Sequence, residues 1–357
     1  MRAVAGLLAF VLVALSLLSF LPLAPTNAWW ARALDFPRLQ LAATILLLGA
    51  ALLALSRQPW SLLVAALGGA ALLLHAVKLA PYQPIAAREA PGVAACEAGR
   101  GLRVLVANVR RDTEAAPAFL EVVAAARPDL ILALETDAYW DEALSALAGT
   151  HPYQVAHIPE EATHYGLHLL SSRPLVEPEI RMGFGEDTPA VATGVALASG
   201  EVIGFHGLHP RPPVAFDQGT IRRDATIYAA ALAARDAERP TVVAGDLNAV
   251  PWETTTERAL RLGRLADPRV GRGFMASFDA ESWWMRWPLD HVLLQPELAL
   301  AAYEVLPGFG SDHFPVLAEI CRTDVAAPAP LAAATPEDLA EAERAIAAAR
   351  AFEPAGD

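Results

Sequence analysis

Five places in the 357-residue chain set an acid, an amide or an imidazole at the edge of a short apolar run. Asn108 closes the run that begins at Arg103, and Glu135 closes Asp129 to Glu135. Asp246 and Asn248 follow Thr241 to Gly245, Asp290 opens the run to Leu294, and Asp312 and His313 precede Pro315 to Ile320. Side chains at strand ends can be aimed by a rigid scaffold into one cleft. Carboxylate and amide oxygens suit a hard divalent cation, Mg²⁺ or Mn²⁺, and no thiol is needed. A histidine beside an aspartate adds a proton carrier whose tautomer and basicity a carboxylate can set. These residue types could polarise an electrophile and activate water, which is metal-assisted hydrolysis. Singly, each has a structural reading: Asn108 could cap a turn, Glu135 could start a helix, and Asp246 with Asn248 could build an Asx-turn. Their recurrence in order favours the chemical one.

The elements that would carry them alternate strand and helix, the rhythm of an α/β domain. Strand runs are expected at 103–109, 129–135, 166–172, 193–198, 201–209, 241–245, 290–294 and 315–320, with a helix near Ala115 to Ala126. Many are apolar throughout, as in strands covered on both faces. Pro81, Pro84, Pro91 and Gly92 mark 81–100 as an irregular linker, so the catalytic domain is expected over 101–324. Residues 325–357 read as an Ala/Pro linker and a loosely docked, solvated helix capped at Thr335 with Asp338 three residues on.

The set Asn108-Val109, PDLILALE (128–135), GLHLLSS (166–172), HPRPP (209–213), GDLN (245–248), LDH (289–291) and SDHFP (311–315) resembles the endonuclease/exonuclease/phosphatase superfamily. The resemblance runs from Asn108 to Pro315, and GDLN and SDHFP are its specific motifs. It implies a DNase I-like four-layer α/β sandwich of two packed mixed sheets flanked by helices, and hydrolysis of a phosphoester by in-line attack of water. It further implies that Glu135, Asn108 and Asp312 bind the metal, that Asp246 orients or deprotonates water, and that Asn248 holds a phosphate oxygen. His313 would meet the phosphate as base or charged donor, Asp290 would fix its tautomer and raise its pKa, and His209 would be a second histidine at the phosphate. Two positions depart from the pattern: Pro288 stands where a basic residue is common, and Arg110 where some relatives have a carboxylate. His164 and His168 are placed either in the pocket or in structural roles, and His206 and His291 in strands. Arg222 and Arg223 are candidates to clamp a second phosphate.

Ahead of this domain lie apolar runs at about 3–24, 39–55 and 60–79, each able to span a bilayer. The first could instead be a cleaved signal peptide, but the two others would keep the chain in the membrane. His75 and Lys78 are expected to snorkel to the interface. Three spans put the amino terminus and the catalytic domain on opposite sides. Basic residues are Arg2 and Arg57 on one side against Arg32, Arg38, Lys78 and Arg88 on the other, which by itself favours a cytoplasmic domain. Against that stands the one cysteine pair, Cys96 and Cys321, which reads either as two unrelated buried residues or as a disulfide needing an oxidising compartment. The expected arrangement is therefore an integral protein of a bacterial cell membrane with a periplasmic domain.

The first eighty residues hold five basic and one acidic side chain, leaving 22 basic against 39 acidic in the remainder. Such a domain repels nucleic acid at long range. Three tryptophans at 283, 284 and 287, just before Asp290, suit the headgroup zone of a bilayer, or stacking on bases. The amino-terminal spans and the HPxPP motif resemble the membrane-anchored branch of the superfamily, which implies a lipid-linked phosphate or pyrophosphate substrate. An extracytoplasmic nuclease is the second reading and a non-catalytic scaffold the third.

Overall fold

The computed structural model describes residues 2–160, 164–184, 188–212, 219–324 and 330–351. Eleven strands occur among them: β1 (Gly101–Asn108), β2 (Leu130–Leu134), β3 (Tyr153–His157), β4 (Leu167–Ser171), β5 (Leu175–Met182), β6 (Pro189–Ala196), β7 (Val202–Leu208), β8 (Thr241–Asp246), β9 (Asp290–Leu294), β10 (Leu298–Val305) and β11 (Val316–Arg322). They form a six-stranded sheet, β10-β11-β1-β2-β4-β3, and a five-stranded sheet, β5-β6-β7-β8-β9. Only β1 with β2 and β7 with β8 run parallel.

The alternating side chains of each strand make the layers. Val104, Val106, Leu132, Leu134, Phe205, Val242, Ala244 and Val292 meet between the sheets. Their neighbours Leu105, Ala107, Ile131 and Ala133 face outward and pack on α5 (Ala116–Ala126) and α6 (Ala138–Leu144). On the other sheet Val243 and Leu293 face α7 (Ile221–Asp236) and α8 (Thr254–Gly263). This is the four-layer DNase I-like sandwich that the sequence suggested.

Parallel strands end, and antiparallel strands begin, at the same edge of a sheet, and that geometry gathers the polar motifs. Asn108 ends β1 opposite Leu134, one residue before Glu135. Asp246 ends β8 opposite Asp290, the first residue of antiparallel β9. The Asp312–His313 turn enters β11, which pairs Val316 with Val106 of β1.

Ahead of the sandwich lie α1 (Arg2–Phe20), α3 (Arg38–Leu55) and α4 (Pro59–Leu79), with the short α2 (Trp29–Arg32) in the loop between the first two. These three helices are long and apolar enough to cross a membrane. They pack on one another through Ala9, Leu12, Ile45, Leu52 and Ala71. His75 and Lys78, expected to reach toward an interface, each have a protein partner. The His75 ring lies 3.0 Å from the Ser19 hydroxyl, and the Lys78 ammonium donates to both oxygens of Glu257 at 2.8 Å.

The segment 81–100 has no long regular element but is docked rather than loose. Ala90 is buried, Val93 N–H donates to Leu300 O, and a Cys96–Cys321 disulfide pins the segment to β11. The carboxy-terminal helix α9 (Pro336–Ala351) is also more firmly held than its composition suggested. Thr335 and Asp338 form a reciprocal cap. Asp338 then accepts from Arg258 and Arg261 of α8, and Ala342 and Ala349 are buried. The part of the Ala/Pro linker at 325–329 lies outside the described residues.

Candidate active site

At the shared sheet edge a cleft of about 560 Å³ is lined by Arg110, Glu135, His164, Tyr165, His209, Asp246, Asn248, Asp312 and His313 among others. Its centre is the buried Asp246 carboxylate. Asn108 Nδ2 donates to Asp246 Oδ2 at 3.2 Å and to Glu135 Oε1 at 2.9 Å. The ring nitrogens of His209 and His313 approach Asp246 Oδ2 at 3.7 and 3.6 Å. Behind His313, Nδ1 lies 2.8 Å from Asp290 Oδ2, and the Phe278 ring packs on the imidazole at 4.8 Å.

Local backbone conformations explain why these particular residues end up here. Gly245 has φ +136°, and a Cβ there would fall 1.9 Å from Leu208 O, so the approach of β8 to β7 admits only glycine. Asn248 and Glu135 take left-handed φ values of +50° and +60°, a conformation costly for side-chain-bearing residues and commonest at functional sites. Asn248 N–H donates to Asp246 Oδ1 at 2.9 Å, closing an Asx-turn. The turn reading of GDLN is thus met, and it leaves Asp246 Oδ2 facing His209 and His313. Ser311 ties two motifs of the six-stranded sheet together: its hydroxyl donates to Asn108 O and accepts from His313 N–H.

The electrostatics follow from burial and from charge. Burial alone would lower the His313 pKa, but Asp290 and Asp246 outweigh it and push it up to about 10. Burial raises Asp246, helped by Asp290 and opposed by His313 and His209. Burial would also raise Glu135, yet His209, Asn108 and His164 hold it below the usual carboxylate range. Glu135, Asp246, Asp290 and Asp312 outnumber His164, His209 and His313, and the lining Arg110 and Arg111 pair with Glu281 and Asp112. Asp290 Oδ1 is buried without a hydrogen-bond partner. Among the described residues, Asp246, Asp290 and His313 form a group whose ligand atoms lie within 4.8 Å of one another. An oxygen-rich, negatively charged donor set fits a hard divalent cation.

All eight residues singled out from the sequence lie at this cleft or in the wall behind it. Asn108 Oδ1 accepts from Arg110 N–H at 3.0 Å, so its amide turns nitrogen toward Glu135 and steadies that carboxylate. His164 is a cleft residue, 3.1 Å from Glu135 Oε2, whereas His168 is structural, held by Thr136 and Asp141. His291 is buried beneath the Ala249 carbonyl. His206 lines a separate cavity of about 350 Å³ with Met182 and Phe184, where no acid lies among the described lining residues.

The phosphate clamp expected at Arg222 and Arg223 is not formed by Arg223. Its guanidinium is buried against Asp224 and Glu253 and donates to Asn248 O at 2.8 Å, pointing away from any ligand. Cleft residues that sequence reasoning passed over include Tyr165, whose ring contacts His209 and lies under the Arg211 guanidinium, and Phe278. Arg211 sat inside the HPRPP motif and could have been weighed, whereas Pro213 lies outside the described residues.

The wall of the cleft also meets the amino-terminal helices. Trp287 packs on Phe278 and edge-on against Phe36, and the Trp284 carbonyl accepts from Gln40 of α3. Trp283 and Trp284 are 86% and 55% exposed.

Comparison with known proteins gives a consistent picture. The model of the Endonuclease/Exonuclease/phosphatase family matches residues 105–313. No curated protein sequence matches the chain. Among solved structures, the human Nocturnin catalytic domain with bound sulfate superposes with a TM-score of 0.53 at 17% identity, covering 63% of this chain and 95% of that one. TDP2 from D. rerio, complexed with a single-strand DNA product, gives 0.53 at 16% identity over 62% and 98%. An endonuclease/exonuclease/phosphatase protein from Beutenbergia cavernae gives 0.51 at 17% over 62% and 72%. At such identities these likenesses concern the fold.

Proposed function

Since the chain belongs to the endonuclease/exonuclease/phosphatase family, whose members hydrolyse phosphoester bonds, we propose that it is a membrane-tethered, divalent-metal-dependent phosphoester hydrolase acting on a lipid-linked phosphate or pyrophosphate. The observation that carries the reading is the buried Asp290–His313–Asp246 array beside Glu135 and Asn108 in one cleft.

A divalent cation, when bound, supplies charge neutralisation at the phosphate oxygens. Glu135 and Asp312 are its proposed ligands, with Asn108 orienting Glu135 as described or joining them if its amide turns over. Asp246 Oδ2 orients the attacking water and takes its proton. His313 has a carboxylate beside each ring nitrogen and serves as a donor to the phosphate through Nε2. His209 Nε2 and Asn248 Nδ2 contact the remaining phosphate oxygens. Asn248 Nδ2 now donates to Pro210 O, so it changes partner when substrate arrives.

A lipid-linked substrate is supported by the exposed Trp283 and Trp284, the second of which accepts through its carbonyl from Gln40 in the first turn of an apolar helix long enough to span a membrane. An extracytoplasmic domain is supported by the Cys96–Cys321 disulfide. The basic residues that argued for the opposite orientation are largely taken up by ion pairs: Arg32 with Asp224 and Glu253, Arg38 with Asp35, and Lys78 with Glu257.

The test uses the full-length protein in lipid nanodiscs, offered a polyprenyl pyrophosphate, a soluble phosphodiester and a short DNA. Phosphate release from the lipid that requires Mg²⁺ or Mn²⁺ and vanishes in Asp246→Ala and His313→Ala is the expected result. Cleavage of DNA alone would move the assignment to a nuclease, and absence of any metal-dependent turnover would overturn it.

A further inference from the structure

The loop between α1 and α3 does more than join two membrane helices. Asn27 O accepts from Thr220 N–H at 3.0 Å, and Gly219, at φ +54°, comes so close that a Cβ there would lie 2.0 Å from the same carbonyl. Asp35 O accepts from the indole of buried Trp252 at 2.7 Å. Between these contacts Arg32 enters the catalytic domain. Its guanidinium donates to Asp224 at 3.3 Å, and to Glu253 and Thr255 at 2.5 Å each, and the residue is almost fully buried.

Glu253 Oε1 is shared. It accepts from Arg32 and also from Arg223, whose Nη1 holds Asn248 O at 2.8 Å. A chain of contacts thus runs from the membrane anchor, through Arg32, Glu253 and Arg223, to the backbone of Asn248 in the cleft. The four charges of this cluster cancel: Arg32 and Arg223 against Asp224 and Glu253. Without Arg32 the catalytic domain would bury two carboxylates against one guanidinium, and uncompensated buried charge is strongly unfavourable. Arg223 would then be drawn toward the pair of acids, and its hold on Asn248 would weaken. Asn248 sits at left-handed φ, so the loop depends on such outside restraint.

We propose that Arg32 is a positioning residue for the active site, and that the membrane anchor thereby completes the catalytic centre as well as tethering it. The role of Asn248 rests on the hydrolase reading above, but the restraint itself does not. The hypothesis also implies that a soluble fragment beginning after the spans has an impaired GDLN loop.

The experiment compares wild type, Arg32→Met, Arg32→Lys and Lys78→Met as full-length protein in nanodiscs. Lys78 is the control, since its pair with Glu257 also links anchor and domain but does not lead to Asn248. Amide exchange of residues 247–253 should quicken in Arg32→Met and remain at the wild-type rate in Lys78→Met. With a hydrolysable substrate, kcat should fall roughly tenfold or more in Arg32→Met while KM changes little, because small misplacements of catalytic groups act on the chemical step. Arg32→Lys should lie between, since an ammonium lacks the planar fork needed to reach both acids. Arg32→Met combined with Asp224→Asn restores charge balance and should recover much of kcat. Equal exchange in Arg32→Met and Lys78→Met, or loss of kcat without recovery in the balanced pair, would overturn the proposal. If wild type turns over no phosphoester, the hydrolase reading fails, and the exchange comparison still decides the role of Arg32.

Discussion

Two clusters of ionisable side chains flank the loop from Asp246 to Glu253, and they are built on opposite rules. At the junction with the amino-terminal helices Arg32 and Arg223 face Asp224 and Glu253, charge for charge. In the cleft Glu135, Asp246, Asp290 and Asp312 exceed the three histidines facing them, while the lining Arg110 and Arg111 pair with Glu281 and Asp112. A cluster that neutralises itself holds the fold. One that leaves negative charge over is suited to a cation supplied from outside. The cleft is also the more open of the two, with Glu135 and Asp312 partly exposed where Arg32, Arg223, Asp224 and Glu253 are all buried.

Breaking the cleft should leave the protein folded and inactive. Asp246→Ala or His313→Ala is expected to lower kcat by about 10²–10⁴, the usual worth of a positioned acid or base. Steady-state rates with thermal melts in parallel check this, and a variant that unfolds instead would place the residue with the structural cluster. Next in size, Asn108→Ala should weaken divalent-ion affinity about 10–100-fold, because an outer contact that orients a ligand is lost. Titration with Mn²⁺ reads this directly, and unaltered affinity would remove Asn108 from the metal site.

The disulfide sharpens the contrast from the structural side. Replacing Cys96 and Cys321 by serine should cost about 2–4 kcal/mol of stability while leaving kcat near wild type, since the bond lies at β11, remote from the cleft. Chemical denaturation provides the measurement, and loss of activity in the folded variant would contradict that separation. The smallest effect is expected at Glu89 in the docked linker. Its carboxyl accepts from Asp267 N–H, and burial pushes its pKa up to about 7. A carboxyl with a raised folded pKa takes up a proton on folding, so its contribution is full below the unfolded value near 4.5 and is lost as pH rises through about 7. Glu89→Gln should therefore stabilise the protein at pH 8 and change little at pH 5. Equal effects at both pH values would mean that the carboxyl titrates normally.

The sandwich and the cleft were legible because their strands are covered on both faces and their chemistry stands at strand ends. The strands that escaped sequence reading are β3, β5 and β10, all at sheet edges. β3 and β5 have largely exposed residues, so no apolar run announces them. Arg223 was misread for a different reason. Its partners include Glu253 and, through that acid, Arg32 in the anchor, far off in sequence, and nothing local distinguishes a buried structural arginine from a phosphate clamp. The same distance hid the partners of His75 and Lys78. The alanine-rich α9 looked solvated because its docking depends on one aspartate meeting two arginines of α8.

The most direct test of the cleft's charge logic is calorimetric titration of Mg²⁺ and Mn²⁺ into the full-length protein in nanodiscs, beside Glu135→Gln and Arg32→Met. Saturable binding that is lost in Glu135→Gln but kept in Arg32→Met, with hydrolysis abolished by chelator, is the expected result. Hydrolysis undiminished by chelator, or ion binding indifferent to Glu135, would contradict it.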